Sequence, residues 1–128
     1  MRNTKFILSV IVAGFIVTGC GVYIKRTPPD TGFARAKIGE AIFSTSDFRL
    51  SNGEQRVVYK FWIFKKSDSK KITISYEENL DFIKLTPDIR EEKTYSIGKD
   101  FTFQIQDMKI EIYELTASSI VYYIRQGR

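Results

Sequence analysis

Apolar and polar residues alternate along most of this chain from residue 33 onward. Valine, isoleucine, tyrosine and phenylalanine recur at every second position, and turn residues interrupt them at short intervals. A period of two is typical of β-strands that bury one face. About eight short strands with turn signals between them predict an all-β domain. We expect a small antiparallel β-sandwich, with a barrel as the second choice.

The longest predicted strand covers residues 55–65, directly after Asn52-Gly53. Asn-Gly between two extended runs is the strongest short hairpin signal, so the strand before it pairs with this one. Both faces of residues 55–65 are largely apolar, which predicts an interior position with most of both faces covered. Trp62 lies in this strand. A core tryptophan is favoured over an exposed ligand platform.

The other predicted elements follow the same alternation. Strands are expected over residues 33–43, 47–50, 72–76, 82–85, 94–97, 101–105, 110–115 and 120–125, and a charged loop over residues 88–93. Residues 116–119 connect the last two strands as a hairpin. The strand over residues 120–125 is apolar enough for an interior place in its sheet.

The first part of the chain has a different pattern. Residues 6–17 are apolar without alternation, interrupted only by Ser9 and Gly14. Arg2 and Lys5 precede this run, and small residues follow it. A basic start, an apolar middle of about 7–15 residues and a small-residue region are typical of an export signal.

The end of this segment, Val17-Thr18-Gly19-Cys20, resembles the lipobox of bacterial lipoproteins. The resemblance implies a diacylglycerol on the Cys20 sulfur, cleavage between Gly19 and Cys20, and acylation of the new amino terminus. Residues 1–19 are then a signal peptide, and membrane lipid is a partner through Cys20. Two or three acyl chains give a stable anchor, whereas one binds reversibly.

The resemblance also bears on location. Gly21 is not the aspartate that resembles an inner-membrane retention signal in Gram-negative lipoproteins. We therefore expect the periplasmic face of the outer membrane in a Gram-negative source, and otherwise the outer leaflet of the plasma membrane.

Two other interpretations of the first segment stay open. Residues 6–24 contain 19 residues without a charge, about enough for an uncleaved transmembrane helix. Lys25 and Arg26 would then follow the span on the non-cytoplasmic side, against the preference of positive charge for the cytoplasm. The third interpretation is an ordinary buried helix or strand.

Residues 20–32 are predicted to be the lipidated N-terminus and a tether, ahead of a β-sandwich domain over residues 33–128. The Pro28-Pro29 pair favours an extended, poorly packed segment. Lys25 and Arg26 in this tether either touch anionic headgroups or remain solvated.

Charge limits the partners further. The 128-residue chain carries +5; removing Arg2 and Lys5 from its 20 basic side chains leaves 18 against 15 acidic ones, a net of +3. This mild excess indicates either a solvated surface of mixed charge or a weak attraction to anionic lipid, glycan or nucleic acid. Export argues against nucleic acid as the partner. Lysines crowd one predicted turn at residues 65–71. They either contact anionic lipid or peptidoglycan, or keep the neighbouring apolar strand from aggregating.

The absence of two residue types excludes much chemistry. The chain has no histidine and a single cysteine. A Ser-His-Asp triad, a histidine-ligated metal and a cysteine cluster are therefore ruled out, and we predict no metal and no cofactor. Acids remain in two groups: Glu77, Glu78 and Asp81, and Asp88, Glu91 and Glu92.

We therefore predict a protein that is not an enzyme. It would be a membrane-anchored lipoprotein whose β domain binds, or makes structural contact with, another protein of the cell envelope. The alternatives are a single-pass membrane subunit of an envelope complex and, less favoured, a carboxylate-based enzyme acting on glycan.

Overall fold

A computed structural model describes residues 21–126 of the chain, and these residues form two antiparallel sheets packed face to face. The lipobox prediction, residues 17–20, lies outside the described residues. The nine strands of this β-sandwich are β1 (Val22–Lys25), β2 (Ala34–Lys37), β3 (Ala41–Ser51), β4 (Glu54–Ser67), β5 (Lys71–Leu80), β6 (Ile89–Ser96), β7 (Thr102–Ile105), β8 (Met108–Thr116) and β9 (Ser119–Gln126). The predicted all-β sandwich is confirmed. In residues 21–126, no helix has the length and apolarity to cross a membrane.

One sheet is a simple meander of β3, β4, β5 and β6 in chain order. The Asn52-Gly53 turn joins its first two strands, and both residues have positive φ, at 53° and 80°. That pair of φ angles matches the right-handed twist of the strands, as Asn-Gly hairpins do. The predicted hairpin and the interior position of β4 are therefore confirmed.

The second sheet is built around the hairpin of β8 and β9. β2 pairs with β9 on one side, while β1 and β7 share the other edge of β8. β7 pairs with the first half of β8, and β1 pairs with its last residues. The predicted C-terminal hairpin and the interior position of β9 are thus confirmed.

The core lies between the two sheets. The inward residues of β4 and β5 meet those of β8 and β9, and Trp62 is among them with 3% of its surface exposed. The buried hydroxyl of Tyr122 donates to the Ile42 carbonyl at 2.7 Å and so joins the two sheets directly. Burial raises the pKa of Tyr122 to about 12, so this donor keeps its proton at neutral pH.

Several predicted boundaries are wrong. The predicted strand over residues 33–43 is two strands, separated by a turn in which Gly39 has a φ of +91°. Residues 82–85, predicted as a strand, lie in the β5–β6 loop. Residues 88–93, predicted as a loop, largely belong to β6. β6 is an edge strand, where charged side chains are common because they block pairing with other chains.

The predicted tether is wrong for Val22–Lys25. These residues form β1, with Val22 opposite Thr116 and Lys25 opposite Glu114. Ile24 is 6% exposed and belongs to the core, so its burial offsets the cost of ordering this segment. The chain then crosses to the other edge of the sheet, where Gly32 approaches the Tyr123 ring.

Candidate functional site

The sandwich has two distinct ends, which we call proximal and distal. The proximal end holds Val22, Thr116 and the turn at residues 68–70, because Val22 pairs with Thr116 and the Ser67 hydroxyl donates to the Thr116 carbonyl at 2.7 Å. The distal end holds the Asn52-Gly53 turn and the β5–β6 loop. Gly21 alone separates β1 from Cys20 in the sequence.

The two predicted membrane-contact residues are engaged within the domain. The Lys25 ammonium lies 3.0 Å from a Glu114 carboxylate oxygen. The Arg26 guanidinium stacks 4.9 Å from the Phe101 ring centre and 4.5 Å from that of Tyr113, and it donates to the Ile112 carbonyl. Arg26 therefore links the segment after β1 to β8 and to Phe101, just before β7.

The predicted acids are spread over both faces of the first sheet. Glu77 and Glu78, adjacent in β5, point to opposite faces as strand geometry requires. Each forms an ion pair with an arginine: Arg90 lies 3.2 Å from Glu77, and Arg49 lies 3.5 Å from Glu78. Asp81 pairs with Arg56 at 2.9 Å.

The second acidic group is also divided. Asp88 accepts hydrogen bonds from Lys84 and from the Leu80 amide, which hold the pKa of its carboxyl below the usual range. Glu91 faces the other sheet, whereas Glu92 pairs with Ser75 on the outer face. Within residues 21–126, no three acidic or cysteine side chains come close enough to hold a metal ion.

Trp62 lines an open cleft of about 350 Å³ at the distal margin of the core. Its ring packs between Phe43 and Tyr76, with ring centres at 5.1 and 5.0 Å. Tyr95, Glu91, Lys93, Ile105 and Gln106 complete the lining. The tryptophan thus serves the core, as favoured from the sequence.

The predicted lysine turn lies at the proximal end. Asp68 caps it: one of its carboxylate oxygens accepts hydrogen bonds from the amides of Lys70 and Lys71, both at 2.8 Å. These two bonds hold the pKa of Asp68 below its ordinary value of 3.8. The capped turn directs its lysines outward, and Lys66 and Lys71 border a notch of about 220 Å³.

The distal end carries apolar side chains that the sequence did not single out. Phe82, Ile83 and Leu85 of the β5–β6 loop are 62%, 65% and 103% exposed. Phe48 and Leu50 on β3 are 71% and 77% exposed. We call these five residues the tip cluster.

Two backbone contacts place the residues of the tip cluster at the same end of the molecule. Phe48 pairs with Val57 across the β3–β4 hairpin, and the amide of Asp81, next to Phe82, donates to the Val57 carbonyl at 2.6 Å. The only sequence signal for this loop is an apolar run over residues 82–85, broken by Lys84 and followed by Thr86-Pro87, and that run predicts a strand.

In comparisons with known proteins, this chain matches no protein-family model, no curated protein and no solved structure.

Proposed function

We propose that this protein is a membrane-anchored lipoprotein whose β-sandwich presents its distal end to another protein of the cell envelope. The single observation that carries the binding role is the tip cluster. Large apolar side chains exposed together mark protein contact sites more often than scattered ones do. Membrane lipid is the partner through Cys20, and the envelope protein is the partner at the tip.

The position of β1 supports this arrangement. Val22 is fixed to the proximal end by pairing with Thr116, so a lipid on Cys20 would hold that end against the bilayer. The tip cluster then points away from the membrane. β4 has 14 residues, which span about 45 Å at the rise of a strand, so the tip would reach well beyond the headgroups.

The membrane-spanning helix of the alternative interpretation would be shorter than the sequence alone allows. The predicted span over residues 6–24 includes Val22 and Ile24, which are in the sheet. A span that stops at Gly21 has 16 residues. In a helix these rise about 24 Å, less than the roughly 30 Å of a bilayer core.

Mass spectrometry of the protein purified from membranes tests the anchor. We expect Cys20 as the first residue, with a diacylglycerol on its sulfur. Cys20→Ser should abolish acylation and leave the domain folded. An intact Met1 with a free thiol would contradict the proposal.

Charge substitutions in the β5–β6 loop test the tip. We expect Phe82→Asp and Leu85→Asp to release the anchored protein from its complex, because each places a charge in an apolar contact. The measurement is the size of the detergent-solubilised complex. Thr86→Asp is the matched control, since Thr86 is exposed in the same loop but already polar. An unchanged size in all three variants would exclude the tip.

A further inference from the structure

The notch beside the lysine turn has the chemistry of a phosphate site. Two lysines, Lys66 and Lys71, line it together with Thr73 and Thr94, whose hydroxyls bond to each other and leave one hydroxyl proton for a ligand. Ser67 also lines the notch, but its hydroxyl already donates to the Thr116 carbonyl. Ammonium and hydroxyl groups are hydrogen-bond donors, and a phosphate carries several acceptor oxygens.

The two threonine hydroxyls lie on neighbouring, paired strands of the sheet. Thr73 is 7% exposed, and its Oγ1 lies 3.2 Å from that of Thr94 on the neighbouring strand. Lys66 pairs with Thr73 in the β4–β5 register, immediately after a bulge between Phe64 and Lys66. A bulge re-aims the side chains beside it, so the position of Lys66 is set by the sheet.

The charges of the notch favour an anion. Among residues 21–126, no carboxylate lies within ion-pair distance of the Lys66 or Lys71 ammonium. Asp68 also lines the notch, but one of its oxygens accepts two amide hydrogen bonds from its own turn. The pKa of Asp68 is lowered by these bonds, so its carboxylate stays ionised at neutral pH, and the notch carries two positive charges against one negative charge.

The notch also lies at the end where the membrane would be. Ser67, part of its lining, donates to the Thr116 carbonyl, and Thr116 pairs with Val22, two residues after Cys20. A lipid on Cys20 would thus bring headgroup phosphates to the side chains of this turn. Basic residues close to an anionic bilayer are attracted to its surface, and the attraction falls off within a Debye length.

We propose that the notch formed by Lys66, Lys71, Thr73 and Thr94 binds the phosphate of an anionic phospholipid headgroup and so fixes the orientation of the anchored domain. This inference rests on the proposed lipid anchor. It assigns the lysine turn a ligand and explains why the tip would be held away from the bilayer.

The experiment uses the processed protein purified from membranes and reconstituted into vesicles. One set contains only phosphatidylcholine, and the other contains phosphatidylglycerol in addition. Mass spectrometry measures how fast an amine-reactive reagent labels each lysine. We expect labelling of Lys66 and Lys71 to slow by about threefold or more in anionic vesicles and to recover in high salt. Lys84, at the distal end, is the internal control.

Two variants separate the notch from general positive charge. Lys71→Gln should remove most of the protection of Lys66, because it removes one of the two positive charges that line the notch. Lys70→Gln should leave that protection intact, since Lys70 is on the same turn but outside the lining. Equal effects of the two substitutions would overturn the site.

The source of the phosphate and the anchor are tested in the same samples. Protection of Lys66 by inorganic phosphate in phosphatidylcholine vesicles, with none from phosphatidylglycerol, would overturn the lipid assignment. Acylated Cys20 without any lysine protection would overturn this inference alone. An unacylated Cys20 would overturn both the inference and the proposed anchor.

Discussion

The two halves of the four-stranded sheet are built from the same strands in different surroundings. The proximal half packs against the second sheet, and Phe64 and Ile74 there are at most 1% exposed. The distal half, residues 44–61 and 77–90, extends past the second sheet; we call it the overhang. The β7–β8 turn, where Gln106 meets Trp62 across the cleft, marks the boundary.

The inward face of the overhang shows what replaces a missing partner sheet. Where the proximal half has a layer of apolar side chains, the overhang has one buried valine, Val58, flanked by ion pairs. Lys60 lies 2.7 Å from Asp47, and Arg49 lies 3.5 Å from Glu78. These pairs are partly exposed and contribute little free energy each. The overhang is therefore held by its backbone ladder together with the burial of Val58, and the apolar side chains at its tip are exposed.

The largest predicted difference between the two halves is the loss of stability when one phenylalanine in each is replaced by alanine. Phe64→Ala should lower the free energy of unfolding by about 3–5 kcal/mol, because it leaves a cavity in a packed core. Phe48→Ala should change it by less than about 0.5 kcal/mol, since Phe48 is 71% exposed. Urea denaturation of both variants gives the two values.

A large loss from Phe48→Ala would break the comparison, because it would mean that the overhang is packed in solution, for example by a second copy. Repeating the denaturation at several protein concentrations separates that case from a packed monomer.

The sequence predicts the local features of both halves, but not how the overhang meets its surroundings. Alternation predicts β4 and the core position of Trp62, and the Asn52-Gly53 signal predicts the hairpin at the distal end, whereas the bounds of β3 were missed. How far β4 extends beyond the opposing sheet depends on the lengths of strands far along the chain. The exposure of Phe48 therefore has no local signal.

The same limit applies to the candidate sites: a local run of residues can be seen in the sequence, but a contact from a distant strand cannot. The lysine turn is visible as a run of residues, but its notch needs Thr94 from a different strand. The tether prediction failed because Pro28-Pro29 dominated the pattern, while Ile24 is buried by pairing with Leu115, far along the chain. Residues 82–85 have a strand-like composition, yet Asp88 closes them into a loop by hydrogen bonding to the Leu80 amide.

A smaller effect of opposite sign is expected at Asn79 in the overhang. Asn79 is 2% exposed, and its Oδ1 has no hydrogen-bond partner among the described residues. A buried acceptor without a partner costs about 1–3 kcal/mol. Asn79→Val should therefore raise the free energy of unfolding by about 1 kcal/mol, measured by urea denaturation.

Asn79→Asp is the matched control, since it keeps the size but buries a charge opposite Tyr59. It should destabilise the fold. If Asn79→Val also destabilises it, the side chain has a partner in solution, and the outer face of the overhang is more polar than the structure implies.

The smallest predicted effect is the pH dependence of the β5–β6 loop. Hydrogen bonds from Lys84 and the Leu80 amide lower the pKa of Asp88 from its ordinary value of 3.8. A lowered pKa in the folded state means that this carboxylate stabilises the fold above the ordinary value, and that the contribution is lost as the pH falls through the folded value.

Asp88→Asn should therefore speed hydrogen exchange of the Leu80 amide at pH 7, and the difference from the unsubstituted protein should shrink as the pH falls below the ordinary value of 3.8 and through the lowered pKa of Asp88. The Ile74 amide in the packed half serves as the internal control, because it lies in the same strand but far from Asp88. Faster exchange at Ile74 as well would show that the loop and the core open together. An effect confined to Leu80 would establish the overhang as a separate unit of local opening, and would allow a partner to order the tip without disturbing the sandwich.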